Sequence, residues 1–458
     1  MAKELPQNVH FVGIGGAGMS GLAALLLSRG CRVTGSDLKA SPVIGRLEAQ
    51  GATCYLGHAA GYVGTADLVV ISSAIKPDNP EVVAARERCI PIVRRGELLA
   101  KVMDGYRGIA VAGAHGKTTT TAMVAAVLIA GGLDPTVLVG GEWPVLGGNF
   151  CPGGSRFFVT EADESDASFL LLSPEVAVVT NVENDHLDFY GTTEAIARAF
   201  REFVGRVQPG GVAVLCLEDP WLEEFAKKNS LPVITCGRNG GADYVLGDFD
   251  FKGLSSAATL YFRGEPLGRL ELNLPGIYNL LNAASAVAVG RHLGISFDVA
   301  AQALAAFRNV KRRFELLGEV NGIRVVDDYA HHPTEVAATI SAARQLKPAR
   351  IVAVFQPHRY TRTALLYREF GRSFGDADVV VVDEIYSAGE TPLPGVSADL
   401  IREAIARHDG REVLHLPENG AAAYIRGLVR PGDVVLTLGA GNIYRVGLEL
   451  LGLLEERQ

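Results

Sequence analysis

The sequence predicts an α/β protein of three domains, each built on a mostly parallel sheet. Three observations lead there. Short apolar strands alternate with helical patterns along most of the 458 residues, as parallel βα units require. That length exceeds what one hydrophobic core normally serves. Glycine-rich or polar residues follow the apolar strands, and open α/β sheets bind ligands at those strand ends.

The first segment, residues 1–105, opens with a strand at Val9 to Val12 and the run GIGGAGMSG. An apolar helix pattern at Leu22 to Leu27 stops at Gly30, and strands follow at Arg32 to Gly35 and Asp67 to Ile71. They end in Ser36-Asp37 and Ser72-Ser73.

The second segment, 106–317, repeats this logic. Strand Gly108 to Val111 enters Gly113-Ala114-His115-Gly116-Lys117-Thr118-Thr119, and a helix runs from Thr118 to Ala130. Strands at Phe157 to Thr160 and Val176 to Thr180 end in Glu161 and Asn181. Short alternating runs between Asp243 and Leu274 predict a small antiparallel insertion. Helices are expected at Asn279 to Leu293 and Val299 to Phe307.

In the third segment, 318–458, strands at Ile323 to Val326, Ile351 to Phe355, Val379 to Val382 and Asp433 to Leu438 again end in polar or glycine-rich residues. Glycines near Gly105 and Gly318 are the expected hinges between segments.

Composition narrows the function classes. Hydrophobic content is 48%, charged content 21% and net charge −8. No basic excess points to nucleic acid. The six cysteines, Cys31, Cys54, Cys89, Cys151, Cys216 and Cys236, show no C-x-x-C pair and no metal-ligand spacing. They read as reduced residues of a cytoplasmic protein. No signal-type segment opens the chain. The longest apolar stretch, Ala122 to Leu138, is broken by Gly131, Gly132, Asp134 and Pro135, so no membrane span is expected.

Gly113 to Thr119 has the chemistry of a phosphate loop. Glycines let backbone N–H groups turn toward phosphate oxygens, Lys117 meets the β/γ charge, and the Thr118 hydroxyl suits Mg²⁺. An early glycine of the long motif is replaced by Val111, which leaves the shorter Gly113-x-x-Gly116-Lys117-Thr118 form. The plain alternative is a βα turn with a surface lysine. In Glu161-Ala162-Asp163-Glu164-Ser165-Asp166, carboxylates follow a strand, as hard cations need. Glu161 is the first ligand candidate, and His186 in the Asn181 to His186 run is a second. Gly13-x-Gly15-x-x-Gly18, with Asp37 nineteen residues on, suits a pyrophosphate on a helix N-terminus. Arg359 and Arg362, near Asp327 and the histidines His331 and His332, suit a carboxylate-bearing substrate.

As an ordered set, GIGGAGMSG, the loop at Gly113 to Thr119, EADESD, Asn181 to His186, DDYAHHPTE and QPHRYTRT resemble the Mur ligases along nearly the whole chain. The resemblance implies a Rossmann-like N-terminal domain for a UDP-sugar and a central P-loop ATPase-type domain. It also implies a Rossmann-like C-terminal domain that closes on nucleotide and amino acid. ATP and Mg²⁺, with Mn²⁺ as a substitute, are the implied cofactors. The implied reaction joins L-alanine to UDP-N-acetylmuramate in peptidoglycan precursor synthesis.

Lys117, Glu161, His186 and His331 then carry catalysis, with Thr118, Glu161 and His186 at metal. Gly113, Ala114, His115, Gly116, Lys117, Thr118, Thr119, Asn279, Asn282, Arg313 and Asp327 meet ATP. Gly13, Gly15, Gly16, Ala17, Gly18, Met19, Asp37, Ser72 and Ser73 meet the UDP-sugar. Tyr329, His331, Arg359 and Arg362 meet L-alanine. Tyr278 stands where the family usually has histidine. A monomer or weak homodimer is expected. Three alternatives stay open at this point: a recycling ligase that adds a tripeptide to the same sugar, a nicotinamide dehydrogenase argued from Gly13 to Asp37, and a non-enzymatic nucleotide-binding scaffold.

Overall fold

The computed structural model describes residues 6–228 and 231–456. Among them three sheets form, giving a three-domain α/β architecture.

The first sheet holds β1 (Asn8–Val12), β2 (Arg32–Asp37), β3 (Thr53–Leu56), β4 (Leu68–Ile71) and β5 (Ile92–Arg94), in the order β3-β2-β1-β4-β5. All its pairings are parallel. Helices α1 (Ala17–Ser28), α2 (Pro42–Ala49), α3 (Pro80–Glu87) and α4 (Arg95–Met103) connect these strands and lead out of the sheet. Strand order reverses at β1, so the loop after it opens at a topological switch point. That loop is the GIGGAGMSG run.

The central sheet holds β6 (Arg107–Ala112), β7 (Thr136–Trp143), β8 (Gly148–Cys151), β9 (Phe157–Glu161), β10 (Val176–Val179), β11 (Val212–Cys216), β12 (Val233–Gly237), β13 (Tyr244–Lys252), β14 (Ser255–Phe262) and β15 (Glu265–Leu272). Its order is β15-β14-β13-β12-β11-β10-β6-β9-β7-β8. β6 pairs in parallel with β9 and β10, so the phosphate-type loop leaves between Glu161 and Asn181. The expected antiparallel insertion is a meander that continues this sheet. Two-residue turns join β13, β14 and β15, a length only antiparallel neighbours allow. Around it lie α5 (Lys117–Ala130), α6 (Leu187–Tyr190), α7 (Thr193–Gly205), α8 (Pro220–Lys228), α9 (Ile277–His292) and α10 (Phe297–Ala305).

The third sheet holds β16 (Glu315–Val320), β17 (Ile323–Asp328), β18 (Arg350–Phe355), β19 (Val379–Val382), β20 (Leu414–His415) and β21 (Asp433–Leu438). Its order is β16-β17-β21-β18-β19-β20, with β16 antiparallel to β17. Helices α11 (Pro333–Arg344), α12 (Tyr360–Phe370), α13 (Asp399–Asp409), α14 (Ala421–Leu428) and α15 (Tyr444–Glu455) complete it. Strand alternation feeds two cores. Ile351, Ala353 and Phe355 face one, and Val352 and Val354 face the other, as a sheet covered on both sides requires.

The chain divides into two compact units. One holds the chain up to Gly247 with Thr259–Leu270 and Leu281–Arg308; the other holds Asp248–Ala258, Glu271–Leu280 and the chain from Asn309. In the first unit the first two sheets share one core. Leu22 and Leu26 of α1 and Leu98 of α4 belong to the same cluster as Leu138, Phe158 and Phe169. Gly318, an expected hinge, lies instead inside β16 beside a register shift and pairs with Val325. A glycine within a short strand marks a bulge as readily as a linker.

Candidate active site

In the first unit three strand ends meet. β6 delivers Gly113 to Gly116, β9 delivers Glu161, and β10 delivers Asn181. Gly113 has φ 141° and Gly116 φ 81°, both in the region that favours glycine. A Cβ on Gly113 would collide with the Thr180 hydroxyl. Asn181 braces the loop from both sides: its Oδ1 accepts from His115 N at 2.8 Å and its Nδ2 donates to His115 O at 3.0 Å. Thr180 Oγ1 also donates to His115 O, at 2.6 Å. Lys117 opens α5, with Thr118 and Thr119 buried behind it. Asn282 lies against the loop, its Oδ1 3.2 Å from where a Gly116 Cβ would sit.

Lys117 turns back on its own loop. Its Nζ donates to Gly113 O at 2.6 Å, to Ala114 O at 3.2 Å and to Glu164 Oε1 at 2.8 Å. Burial alone would lower the pKa of this amine, but the charges of Glu164, Asp163 and Glu161 outweigh it and hold it above its ordinary value. Glu164 goes the other way. Burial, helped by Asp163, pushes its carboxyl up to about 7 despite the lysine. Its Oε2 is buried with no hydrogen-bond partner among the described residues.

Two groups are oriented as a cation site needs. Thr118 Oγ1 donates to Glu161 Oε2 at 3.1 Å, so a hydroxyl and a carboxylate oxygen converge beside the lysine. Hard oxygen donors of this kind suit Mg²⁺, and the residues present fit such an ion. His186 caps α6 at φ 58°. Its Nε2 lies 3.7 Å from Glu164 Oε1 and 3.5 Å from Asp185 Oδ2.

The N-terminal loop is pre-shaped by its own strand. Gly13 N and Ile14 N both donate to Ser36 O, at 2.8 and 2.9 Å. Asp37, expected at the UDP-sugar, accepts from Gly15 N at 3.0 Å. Gly16 caps α1, Ala17 and Gly18 open it, and Met19 is buried beneath. Ser72 and Ser73 form the turn after β4, where Ile75 N donates to Ser72 O at 3.2 Å.

In the second unit β17, β18 and β21 end together, with Phe355 and Asp328 both in register with Leu438. Tyr329, His331, His358 and Tyr386 form a run of ring contacts with centroids 5.4, 5.4 and 5.9 Å apart. His331 Nδ1 lies 2.8 Å from Tyr329 O. A carbonyl only accepts, so Nδ1 carries a proton. Arg362 is buried and its Nη1 lies 3.1 Å from His358 Nδ1. Arg359 precedes α12 at φ 69°, ψ 141°, a conformation costly to any residue with a side chain. Its Nε is buried without a partner among the described residues.

Asp327 is expected at nucleotide. Its carboxylate is fully buried and already engaged, by Arg312 Nε at 2.9 Å and Thr437 Oγ1 at 2.7 Å. Arg312, next to the expected Arg313, also donates to Gly439 O at 2.6 Å and Gly441 O at 3.0 Å. Arg313 lies over the Tyr329 ring, 5.1 Å from its centroid. Asn279 Nδ2 donates to Pro275 O at 2.7 Å, and Tyr278 beside it is exposed. The pairings of Glu164, Asn181, Arg95 and Arg312 were not readable from spacing. Glu164 lies 47 positions from Lys117, and no local pattern links them.

Comparison with known proteins adds identity to this geometry. Three family models match in order: "Mur ligase family, catalytic domain" at residues 8–107, "Mur ligase middle domain" at 111–290, and "Mur ligase, glutamate ligase domain" at 312–441. A UDP-N-acetylmuramate–L-alanine ligase of Pelotomaculum thermopropionicum is 53% identical over 454 residues, covering 99% of this chain and 98% of that one. The enzyme of the same name from Desulforamulus reducens is 51% identical, covering 98% of each. Among solved structures, the UDP-N-acetylmuramate–alanine ligase of Thermotoga maritima superposes with TM-score 0.83 at 30% identity, covering 98% of this chain and all of that one. A murein peptide ligase of Psychrobacter arcticus gives TM-score 0.74 at 27% identity, covering 98% of each chain.

Proposed function

The chain belongs to the Mur ligase family, and on that premise we propose that it joins L-alanine to the lactyl carboxylate of UDP-N-acetylmuramate. The reaction consumes ATP to ADP and phosphate and supplies a peptidoglycan precursor, which implies a cytoplasmic enzyme. The observation that carries this reading is the convergence of Lys117, Thr118 and Glu161 at one glycine-rich turn, in a chain whose full-length relatives carry that enzyme name.

A carboxylate is a poor acyl donor. It attacks the γ-phosphorus of ATP, ADP leaves, and an acyl phosphate results. The amine of L-alanine then attacks the acyl carbon, and the tetrahedral intermediate collapses to amide and phosphate. Two anions meet in the first step, so positive charge must face them. Lys117, at the mouth of the loop, supplies it once its ammonium exchanges Glu164 for phosphate. Backbone N–H groups from Ala114 to Thr119, with the α5 N-terminus, add donors. Thr118 and Glu161, with His186 in reach of the same acidic turn, are the residues that would hold Mg²⁺. That ion would screen phosphoryl charge as a Lewis acid.

In the first unit Asn282 suits the nucleotide, and in the second Asn279, Arg313 and Asp327 are each carried to it by the family resemblance. Gly13 to Met19, Asp37, Ser72 and Ser73 are assigned to the UDP-sugar. In the second unit, Arg359 and Arg362 suit the carboxylate of L-alanine. His331 Nε2 suits the proton that the alanine ammonium must lose before its amine can attack.

The test is product analysis. ADP and phosphate should form only when UDP-N-acetylmuramate and L-alanine are both present. Formation of AMP and pyrophosphate would overturn the reading. A tripeptide that outcompetes L-alanine would move the chain to the recycling activity instead.

A further inference from the structure

Arg95 stands at the first position of α4 and belongs to none of the motifs of the site. Its guanidinium nonetheless reaches the acidic turn after β9. Nη2 donates to Asp163 Oδ2 at 2.6 Å, with the two side chains 21% and 37% exposed. The stem is pinned on its other side. A Cβ on Gly18, in the N-terminal glycine-rich run, would lie 2.8 Å from Arg95 Cδ and 3.1 Å from Nη1. The next residue, Gly96, is seated so closely on Ser168 that a Cβ there would collide with it. The start of α4 therefore docks on the acidic turn and aims one cation at one carboxylate.

That carboxylate matters to the lysine. Asp163 acts electrostatically on both Arg95 and Lys117. Lys117 also faces Glu164 at 2.8 Å and feels Glu161. One ammonium among three carboxylates is held by them and resists transfer to phosphate. A guanidinium on one of the three relieves that hold.

We propose that Arg95 is a positioning residue for the phosphate site: it neutralises Asp163, so that Lys117 is free to leave the acidic turn for the nucleotide. The idea rests on the assignment of Lys117 to ATP.

Three variants separate this role from a simple tie between helix and turn. Arg95→Gln should raise KM for ATP about fivefold or more, the order of one half-buried ion pair, with kcat changed less. Asp163→Asn loses the same ion pair but leaves no bare carboxylate to hold Lys117, so it should stay within about twofold of the wild type. The double variant should recover most of the loss of Arg95→Gln. If Asp163→Asn is as damaging as Arg95→Gln, or the double variant is no better, the pair is only a structural tie and the proposal falls.

Should Arg95→Gln fail to fold, calorimetric ADP affinity of Asp163→Asn decides alone: unchanged or tighter binding supports the role, and weaker binding overturns it. Lys117→Ala serves as the reference. If it binds ADP normally, the phosphate site itself is misassigned. If it loses ADP while Arg95→Gln does not, only the role of Arg95 fails.

Discussion

Lys117 Nζ and Glu164 Oε1 form a 2.8 Å ion pair that closes the phosphate loop on itself. The pair is nearly sequestered, with the lysine side chain 18% and the glutamate 3% exposed. On the proposed function, a nucleotide that enters replaces this carboxylate with phosphate oxygens. Binding and release of the lysine are therefore one event.

On the proposed reading, Lys117→Ala removes the cation that faces the transferring phosphoryl group. Turnover is expected to fall by roughly 10²-fold or more, the scale of one electrostatic stabiliser. Steady-state ADP release, with both co-substrates saturating, measures it. Near-normal turnover would place the phosphate site elsewhere.

Glu164 sets a pH dependence of stability. Burial raises its folded pKa to about 7, above the unfolded carboxyl value. Its stabilising contribution is then complete below the unfolded pKa and is lost as pH rises through about 7. Glu164→Gln mimics the neutral form at every pH. Its melting temperature should gain on the wild type between pH 5 and pH 8, by on the order of a few degrees. A difference constant with pH would mean that this carboxyl titrates normally.

Arg359 is expected to act on the amino acid alone. Arg359→Ala should raise KM for L-alanine roughly ten- to a hundredfold, the range of a lost charge-assisted hydrogen bond. KM for ATP should change little. Equal effects on both constants would argue for a collapse of the turn between β18 and α12.

Arg312 neutralises the buried Asp327 and also takes up the carbonyls of Gly439 and Gly441. Arg312→Ala leaves that carboxylate without its counter-ion. A loss of about 3 kcal/mol or more in denaturant unfolding is expected. Arg313→Ala, which leaves the pair intact, should cost much less. Similar losses would show that the Asp327 charge is balanced elsewhere.

Much of the fold is legible along the chain. The strands β1, β17, β18, β19 and β21 and the helix α5 lie within about two residues of where periodicity and glycine punctuation put them. Many elements were not placed from the sequence, among them β3, β5, β11, β12 and β20 and the helices α11 to α15; at β7, β8 and β16 glycines interrupt the pattern, at Gly140, Gly141, Gly148 and Gly318. The glycine-rich turns at Gly13 and Gly113 are legible for the same reason as the strands. Backbone conformation answers to a few adjacent residues, and positive φ at these turns calls for glycine.

Side-chain pairing answers to something else. That Lys117 would meet Glu164, Arg95 would meet Asp163, and Arg312 rather than Arg313 would hold Asp327 depends on the register of β6 beside β9 and β10, and of β17 beside β21. It also depends on which of several nearby charges each side chain can reach once buried. From sequence alone came the chemistry available at each strand end. Tertiary packing alone chose the partners, because burial makes an unmatched charge too costly to leave and admits only the pairings that the geometry brings within reach.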